Sequence, residues 1–244
     1  MFTHRTKPAR LLVALAGLAL VIGACGGDTE AEGVDQDVSC DFGDLNLVTA
    51  GTLTVATGEP AFPPWIGVGD DNFDVPESKT GFEGALVYEL AANLGFSDDQ
   101  VVWVRTGFDE AIAPGPKTWD FNIQQYSITE ARDEVVDFSV RYYVTRQSLV
   151  TFADSPFANV TSVDDLKDAK LGAAIGTTSL DFIEDVIEPT TAPSVYDENV
   201  DLEAAMNAGQ IDGLVVDLPT AYFVTAVQVE GSIIAGQFEA EAAA

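Results

Sequence analysis

The stretch Ser127–Ser139 reads Ser-Ile-Thr-Glu-Ala-Arg-Asp-Glu-Val-Val-Asp-Phe-Ser, and it decides how the rest of the chain is interpreted. Within it, Thr129–Val136 predicts a short charged helix. Strand-like and helix-like segments alternate on both sides, which is typical of an α/β fold with mostly parallel sheets. Because the long extended segment Tyr142–Phe152 joins two such α/β units, the sequence predicts two lobes with a crossover between them.

The best-defined elements lie on either side of this stretch. Before it, strands are predicted at Leu53–Thr57 and Val101–Arg105, with a helix at Phe82–Leu94 between them. That helix is predicted from apolar residues at a spacing of four, namely Leu86, Leu90 and Leu94. After it, the pattern predicts strands at Lys170–Ala174 and Gly213–Val216, helices at Ser179–Ile187 and Val200–Ala208, and a further helix opened by Pro219.

The N-terminus indicates export. A basic region from His4 to Arg10 is followed by the apolar run Leu11–Ile22, which is shorter than the roughly 20 residues that a membrane span needs. The run ends in Ile22-Gly23-Ala24-Cys25, which resembles the lipobox of bacterial lipoproteins. Residues 1–24 are therefore predicted to be a lipoprotein signal peptide, Cys25 the lipidation site and residues 25–50 an acidic tether. An ordinary secretory signal with an incidental cysteine, or an uncleaved anchor, are the alternatives.

Composition excludes several classes of function. Arg5, Lys7 and Arg10 are three of the eleven Lys and Arg residues, which leaves eight in the rest of the chain against forty Asp and Glu. Such an acidic surface repels phosphate backbones, so nucleic-acid binding is not expected. The single histidine, His4, lies in the predicted signal, which excludes His-dependent catalytic triads and His-ligated metals from the mature protein.

Three motifs do not meet the requirements of the sites that they suggest. Gly67-Val68-Gly69 lacks the third glycine of a dinucleotide site, and Gly172–Ser179 lacks the lysine of a phosphate loop. The acidic run from Asp70 to Asp74 begins like a calcium loop but is not followed by the turn glycine and the bidentate glutamate. No metal and no cofactor is therefore predicted.

The stretch Ser127–Ser139 closely resembles the signature of family 3 solute-binding proteins, the polar amino-acid receptors of ABC importers, in which Ser/Thr-Ile-Thr-x-x-Arg is followed by Asp-Phe-Ser. Four further matches follow the family's order: Pro64-Trp65, Gly81-Phe82-Glu83, Gly176–Ser179, and Ile211–Gly213 with Val216-Asp217. The resemblance covers about residues 51–237. It implies a periplasmic-binding-protein-like type II fold, with lobe 1 at residues 51–141, a hinge crossover at 142–146 and lobe 2 at 147–244.

The resemblance also implies a pocket for an amino-acid zwitterion. An α-carboxylate that leaves water needs charge-assisted donors, and Arg132 occupies the matching position. Thr177 and Thr178 would complete the carboxylate site with a hydroxyl group and backbone N–H groups. Asp217, at the end of a Val-rich strand, would accept the α-ammonium. The alternatives are an exposed Arg132 paired with a neighbouring acid, and simple helix capping by the threonines and by Asp217.

Further positions in the pocket are implied in the same way. Ser127 would contribute its hydroxyl and Gln125 its main-chain carbonyl, while Phe62 and Phe108 would sandwich the ligand side chain, with core packing as the alternative for both. Glu59 would face the ligand side chain, with Trp65 at the same end. These residues and the acidic surface favour Arg, Lys or Gln as ligand over Glu or Asp.

The predicted function follows from these assignments. The protein is expected to be a monomeric, lipid-anchored subunit on the extracellular face of the cell membrane, which delivers a polar or basic amino acid to ABC permease subunits. It is not expected to be an enzyme. A dehydratase-like enzyme on the same fold, with Glu59 as general acid, and a non-transport sensor are the rival hypotheses.

The C-terminus departs from the family pattern. After Gly236-Gln237-Phe238 only the acidic, Ala-rich residues 239–244 follow, where the family has a return strand and helices that close lobe 1. The expected partner of Cys40 would also lie in that segment. The sequence is therefore expected to be a fragment or a truncated relative with weak binding, and lobe 1 is expected to expose apolar surface.

Overall fold

The computed structural model describes residue 43, residues 45–68 and residues 72–238. The predicted signal peptide, Cys25, most of the predicted tether, Cys40 and Asp70 lie outside these residues, so the predictions made for them remain predictions. Among the described residues, no helix combines the length and the apolar character that crossing a bilayer requires.

The first half of the described chain is built on a three-stranded parallel sheet, called sheet A. Its strands are β1 (Leu53–Thr57), β2 (Val101–Arg105) and β3 (Phe121–Asn122), in the order β2-β1-β3. All five residues of β1 are buried, as expected for a central parallel strand that is covered on both faces. Helix α1 (Phe82–Asn93) lies between β1 and β2 in sequence, and α2 (Phe108–Ile112) follows β2.

Helix α1 forms where it is predicted and buries part of the predicted apolar face. Its buried residues are Glu83, Gly84, Val87 and Ala91, whereas Leu90 is 41% exposed. Leu86 and Leu94, the other two predicted apolar positions, are partly buried and pack against the core of sheet A. Val87 and Ala91 belong to the apolar core of sheet A, together with Leu53 and Val55.

A short helix and an irregular segment connect the two halves. Helix α3 (Glu130–Asp133) is shorter than the predicted Thr129–Val136, and residues 134–146, called the crossover, contain no regular helix or strand. Several apolar side chains of the crossover face solvent, among them Val140 at 89% and Val144 at 68% exposure. Val140 lies in the segment predicted as lobe 1, for which exposed apolar surface was expected, and Val144 lies in the predicted hinge.

The second half is built on a five-stranded sheet, called sheet B, with strand order β6-β5-β7-β4-β8. The strands are β4 (Gln147–Phe152), β5 (Leu171–Ala174), β6 (Ser194–Tyr196), β7 (Gly213–Asp217) and β8 (Ser232–Gln237). Strand β5 is parallel to β6 and β7, but β4 is antiparallel to β7 and β8. Among the described residues, four of the six strand pairings are parallel, as expected, and both antiparallel pairings involve β4, whose first residue Gln147 lies opposite Asp217, the last residue of β7.

Helices cover both faces of sheet B. They are α4 (Thr178–Phe182), continued by a π-helical turn at Ile183–Ile187, α5 (Asn199–Asn207), and α6 (Leu218–Phe223), continued by a second π-helical turn at Val224–Gln228. One core cluster packs Leu202 and Met206 of α5 against Leu214 and Val216 of β7. The other packs Leu180 and Ile183 against Leu149 and Val215. Sheet B is therefore the middle layer of three.

Candidate functional site

A cavity of ≈ 1610 Å³ lies between the two halves. Its walls include the carboxyl ends of strands from both sheets: Thr57, Asn122, Ala174 and Asp217. In open α/β sheets this edge is where ligands bind, because the loops and helix starts that follow the strands meet there. The predicted site residues are therefore expected to line this cavity.

Arg132 is buried in this cavity, with 8% of its surface exposed. Its Nη1 donates to the Ser127 carbonyl oxygen at 2.8 Å, and its Nη2 donates to the Gly176 carbonyl oxygen at 2.7 Å. Thr129 caps α3 by accepting a hydrogen bond from the Arg132 backbone N–H at 3.3 Å, which fixes the helix that carries the guanidinium. Arg132 thus contacts both halves of the protein.

The charge of Arg132 has no carboxylate partner at ion-pair distance among the described residues. Asp133 and Glu134, the neighbours that would pair with a surface arginine, are both exposed. The guanidinium lies instead over the rings of Phe108 and Tyr126, at 5.4 and 5.5 Å from their centroids. Burial lowers the pKa of Arg132, the direction expected for a cation removed from water. An anionic ligand would supply the missing charge.

The two threonines at the start of α4 have different roles. The Thr177 hydroxyl caps the helix, since it accepts from the Leu180 N–H at 3.2 Å and donates to the Ala174 carbonyl at 2.7 Å. The Thr178 hydroxyl lies 3.2 Å from the Ser127 hydroxyl in the other half of the molecule. The capping alternative therefore describes the Thr177 side chain, whereas the Thr178 side chain faces the predicted site.

Asp217 ends β7 and caps α6. Its Oδ1 accepts from the Thr220 N–H at 3.0 Å, and its Oδ2 accepts from the Thr220 hydroxyl at 2.6 Å. Desolvation by burial raises the pKa of this carboxyl group. The Thr220 hydroxyl in turn accepts from Trp65 Nε1 at 3.3 Å, which links Asp217 to the loop after β1. The two capping hydrogen bonds thus use part of the capacity of the Asp217 carboxylate to accept hydrogen bonds, but they do not neutralise its negative charge.

The predicted aromatic walls belong to two separate stacks. Phe62 stacks on Phe223 of α6 at 6.3 Å between ring centroids, and Phe73 stacks on Phe223 at the same distance. Phe108 stacks on Tyr126 at 4.1 Å, under the guanidinium of Arg132. Phe62 therefore contacts the other half of the molecule through Phe223, while Phe108 lies beneath the guanidinium of Arg132.

Gln125 is held in an unusual conformation by a buried carboxylate. Its φ of 55° lies in the left-handed region, which is uncommon for a residue other than glycine. Its backbone N–H donates to Glu83 Oε1 at 2.9 Å, and its side-chain amide donates to Glu83 Oε2. Gln125 lines the cavity, and its role in ligand binding stays a prediction, whereas Glu83 was predicted only to be part of the start of a helix.

Glu59 is exposed and is not among the residues that line the cavity. Its charge nevertheless acts on Glu198, which lines the cavity from the other half. The pKa of Glu198 is raised first by burial and then by the neighbouring charges of Asp201, Asp197, Asp109 and Glu59. Carboxylates from both halves therefore lie close enough to repel one another at Glu198.

Residues 53–215 match the family model of bacterial extracellular solute-binding proteins, family 3. The chain belongs to this family. Its fold is accordingly the two-lobed type II fold of periplasmic binding proteins, as the sequence predicts, with sheet A in one lobe and sheet B in the other.

Individual members are similar to this family 3 chain over most of its length. The L-cystine-binding protein TcyJ of Escherichia coli K12 is 30% identical over 180 residues, which are 72% of this chain and 63% of that protein. The glutamate-binding protein GluB of Corynebacterium efficiens is 26% identical over 95% of this chain and 73% of its own length. A solved structure of an ancestral arginine-binding protein bound to arginine superposes with a TM-score of 0.64 at 27% identity, covering 77% of this chain and 80% of that one. The chain thus spans less than two thirds of the cystine-binding relative.

Three residues of the site were missed at the level of sequence. Tyr126 lies between two predicted site residues and could have been noticed as a third aromatic group, because Phe108 already predicted a ring beneath the ligand. Gln147 donates to the Thr178 hydroxyl at 3.2 Å and accepts from the Ser179 hydroxyl at 2.7 Å, and no motif marks it. Glu83 was missed because its partners Gln125 and Tyr142 are 42 and 59 residues away in sequence.

Proposed function

We propose that this protein captures a polar or basic α-amino acid outside the cell and delivers it to the membrane permease subunits of an ABC importer. The observation that carries this proposal is Arg132, a cation buried in the cavity with no carboxylate at ion-pair distance among the described residues. A buried unpaired charge is costly, so a site of this kind favours a ligand that brings an anion.

Asp217 supplies the complementary charge for the α-ammonium group. It lines the same cavity, and its hydrogen-bond partners are the backbone N–H and hydroxyl of Thr220, neither of which carries a positive charge. A zwitterion that contacts Arg132 through its carboxylate and Asp217 through its ammonium would neutralise both groups. An amino acid meets this requirement with adjacent groups of opposite charge.

Closure of the two lobes would follow from the distribution of these groups. Ser127 and Arg132 follow sheet A in the chain, whereas Thr178 follows strand β5 of sheet B and Asp217 ends strand β7 of the same sheet. Because neither lobe provides partners for both ligand charges, the ligand binds the closed state better than the open state and shifts the population towards it. Residues 142–146 are the proposed hinge, and the closed form is the one that docks on the permease.

The charge around the cavity favours a basic or neutral polar side chain. Glu198 and Asp197 line the cavity, and the charges of Asp109 and Glu59 act on Glu198. A cationic side chain would relieve this repulsion, and a carboxylate side chain would increase it. The related proteins carry names for cystine, glutamate and arginine binding, so membership of the family does not choose the ligand.

Binding without turnover is proposed because the acid required by the enzyme alternative is poorly placed. A dehydratase needs a general acid in contact with the ligand. Glu59 was the candidate, and it is exposed outside the set of cavity-lining residues.

Anchoring through a lipid on Cys25 completes the proposal. The basic region, the apolar run and the small residues before Cys25 support it, as does the extracellular family of the chain. We expect the mature protein, acting as a monomer, to remain at the outer face of the membrane. Cys25→Ser should release the protein into the medium or leave an unprocessed precursor, and intact-mass analysis of the membrane fraction measures which form is present.

The experiment that tests the proposal is a thermal-shift panel of the twenty amino acids, followed by calorimetry on the best ligand. Arg132→Ala should lower affinity by at least about a hundredfold, since each decade corresponds to about 1.4 kcal/mol and an unpaired buried charge costs about 3–5 kcal/mol. Lys170→Ala, which removes an exposed cation, is the matched control and should leave affinity unchanged. A loss of less than tenfold in Arg132→Ala rejects the assigned role. Glutamate as the best ligand rejects the charge argument.

A further inference from the structure

Glu83 is fully buried, with no exposed surface, although its side chain is a carboxylate. Three donors converge on its two oxygens. The backbone N–H of Gln125 at 2.9 Å and the hydroxyl of Tyr142 at 2.5 Å reach Oε1, and the side-chain amide of Gln125 reaches Oε2. A carboxylate that accepts from three donors and donates to none is arranged for its ionised form.

The partners of Glu83 lie on two segments that matter for ligand capture. Gln125 lines the cavity in a left-handed conformation that a residue with a side chain adopts only when its surroundings hold it there. Tyr142 is the first residue of the proposed hinge. One carboxylate group therefore holds both a cavity residue and the start of the hinge.

Packing around this carboxylate strengthens the connection. The backbone N–H of Glu83 donates to the Trp65 carbonyl at 2.9 Å, so the helix start is tied to the loop that carries Trp65. The ring of Phe82 stacks on Tyr142 at 6.1 Å, and the ring of Trp65 meets Tyr143 edge-on at 5.1 Å. A change at Glu83 would therefore be transmitted to the hinge through the aromatic groups next to it.

The geometry points to Glu83 as a positioning residue that fixes Gln125 and the start of the hinge only while its carboxylate is ionised, and that thereby makes amino-acid capture depend on pH. This inference rests on the amino-acid-binding function proposed above. Protonation converts one carboxylate oxygen into a donor. A proton on Oε2 faces the side-chain NH2 of Gln125, which cannot accept, so that hydrogen bond is lost. A proton on Oε1 reverses the hydrogen bond with the Tyr142 hydroxyl, which can also accept, so Tyr142 no longer donates to Glu83. Gln125 and the hinge segment are then held less firmly.

The groups around Glu83 place this change within the physiological range. Burial raises the pKa of Glu83 from 4.5 to about 7, against the opposing effect of the hydrogen bonds from Tyr142 and Gln125. The charge of Asp217, from the other lobe, raises it further. Burial also raises the pKa of the Tyr142 phenol, so Tyr142 remains a donor over this range. Among the described residues, Tyr142 and Asp217 are the titratable groups that act on Glu83.

The sign of the effect on binding follows from the ligand charge. An ammonium group at Asp217 stabilises the ionised form of nearby Glu83, so the complex holds fewer protons than the free protein. Affinity therefore rises with pH through about 7. If Glu83 is fully ionised in the complex, its contribution makes binding about tenfold weaker at pH 6 than at pH 8.

The first arm of the test needs no ligand. In the purified wild-type protein, the backbone amide resonance of Gln125 should titrate with a midpoint near pH 7. Glu83→Gln should abolish this titration, and Tyr142→Phe should move the midpoint upward, because it removes a hydrogen bond that favours the ionised form. Glu77→Gln, the same change at an exposed glutamate of lobe 1, should leave the midpoint unchanged.

The second arm measures affinity for the best amino acid of the panel at pH 6 and pH 8. The ratio of the two Kd values should be about tenfold smaller in Glu83→Gln than in wild type, and Glu77→Gln should match wild type. Circular dichroism checks that each variant is folded. If Glu83→Gln does not fold, the upward shift of the Gln125 midpoint in Tyr142→Phe is the test that remains.

The outcomes are distinguishable. A wild-type protein that binds no amino acid at any pH rejects the proposed function, while the Gln125 titration still decides whether Glu83 controls Gln125. Equal Kd ratios in wild type and Glu83→Gln, or a Gln125 resonance that titrates identically in both, overturn the inference about Glu83.

Discussion

The side-chain oxygens of Ser127 and Thr178 lie 3.2 Å apart, although 51 residues separate them in the chain. Ser127 follows the last strand of sheet A, and Thr178 begins the helix after β5 of sheet B. The pair is therefore a direct hydrogen bond between the two lobes at the predicted carboxylate site. Gln147, the first residue of β4, donates to the same Thr178 hydroxyl at 3.2 Å and holds it in place.

A double-mutant cycle on this pair tests whether the bond between the lobes contributes to ligand binding. Ser127→Ala and Thr178→Val should each weaken binding by about twofold to tenfold, the range expected for one hydrogen bond. Because both changes remove the same bond, the double variant should lose less affinity than the two single losses combined. Calorimetry on the four proteins measures this coupling, and strictly additive losses would show that the two hydroxyls act independently.

Two variants of Asp217 distinguish the role of its negative charge from its role as the cap of helix α6. Asp217→Asn keeps a side-chain oxygen that can cap α6 but removes the negative charge, whereas Asp217→Ala removes both. Both variants should lose about a hundredfold or more in affinity, because the ammonium group loses its charged partner. Only Asp217→Ala should also lose about 1 kcal/mol of stability in urea unfolding. Wild-type affinity in Asp217→Asn would show that the charge of Asp217 does not bind the ligand and that the residue only caps helix α6.

The sequence predicted the parts of this protein whose signals are local. Strands β1 and β2 begin and end at the predicted residues, since β-branched runs bounded by turn residues specify them without help from distant partners. The positions of Arg132 and Asp217 came from a linear motif and a strand end, and both line the cavity.

The parts that the sequence did not predict depend on contacts distant in the chain. Glu83 was expected to be an acidic residue at a helix start, a position that also suits an exposed carboxylate. Its burial is set by Gln125 and Tyr142, which no local pattern connects to it. Likewise, the direction of β4 depends on whether the crossover enters sheet B at the end where β7 starts or at the end where β7 stops. The segment Tyr142–Phe152 contains no sequence signal that distinguishes these two ends.

Glu203 on α5 provides a test of stability against pH that does not involve the cavity. Burial raises its pKa from 4.5 to about 7 in the folded protein. The folded state therefore holds the proton more tightly than the unfolded state, so this contribution to stability is complete below about pH 4.5 and is lost as pH rises through about 7.

Glu203→Gln removes the ionisable group and therefore the loss of folding stability at high pH that it causes. Its Tm should exceed that of wild type at pH 8 by about 2–4 °C for each kcal/mol recovered, and the difference should shrink towards pH 5. Glu184→Gln, at an exposed glutamate, is the control and should give no pH-dependent difference. A Tm difference for Glu203→Gln that is the same at both pH values would contradict the assigned cause.

Gly176 tests the contact between the lobes by sterics alone. Its φ is +68°, and a Cβ added there would lie 2.0 Å from Asp109 Oδ1 of the other lobe. Gly209 has the same φ of +68° but nothing within 4 Å of the added Cβ. Alanine at either position therefore has a similar backbone cost, of about 1 kcal/mol or more, and only Gly176→Ala also pushes against Asp109.

Gly176→Ala should consequently weaken ligand binding and increase the radius of gyration in small-angle scattering, because the closed arrangement no longer fits. Gly209→Ala should lose stability in urea unfolding but keep its affinity. Adding Asp109→Ala to Gly176→Ala removes the carboxylate that the new Cβ meets, so affinity should recover towards that of Asp109→Ala alone. If Gly176→Ala and Gly209→Ala bind ligand equally well, Gly176 and Asp109 do not limit closure, and the contact between them can be relieved by side-chain movement.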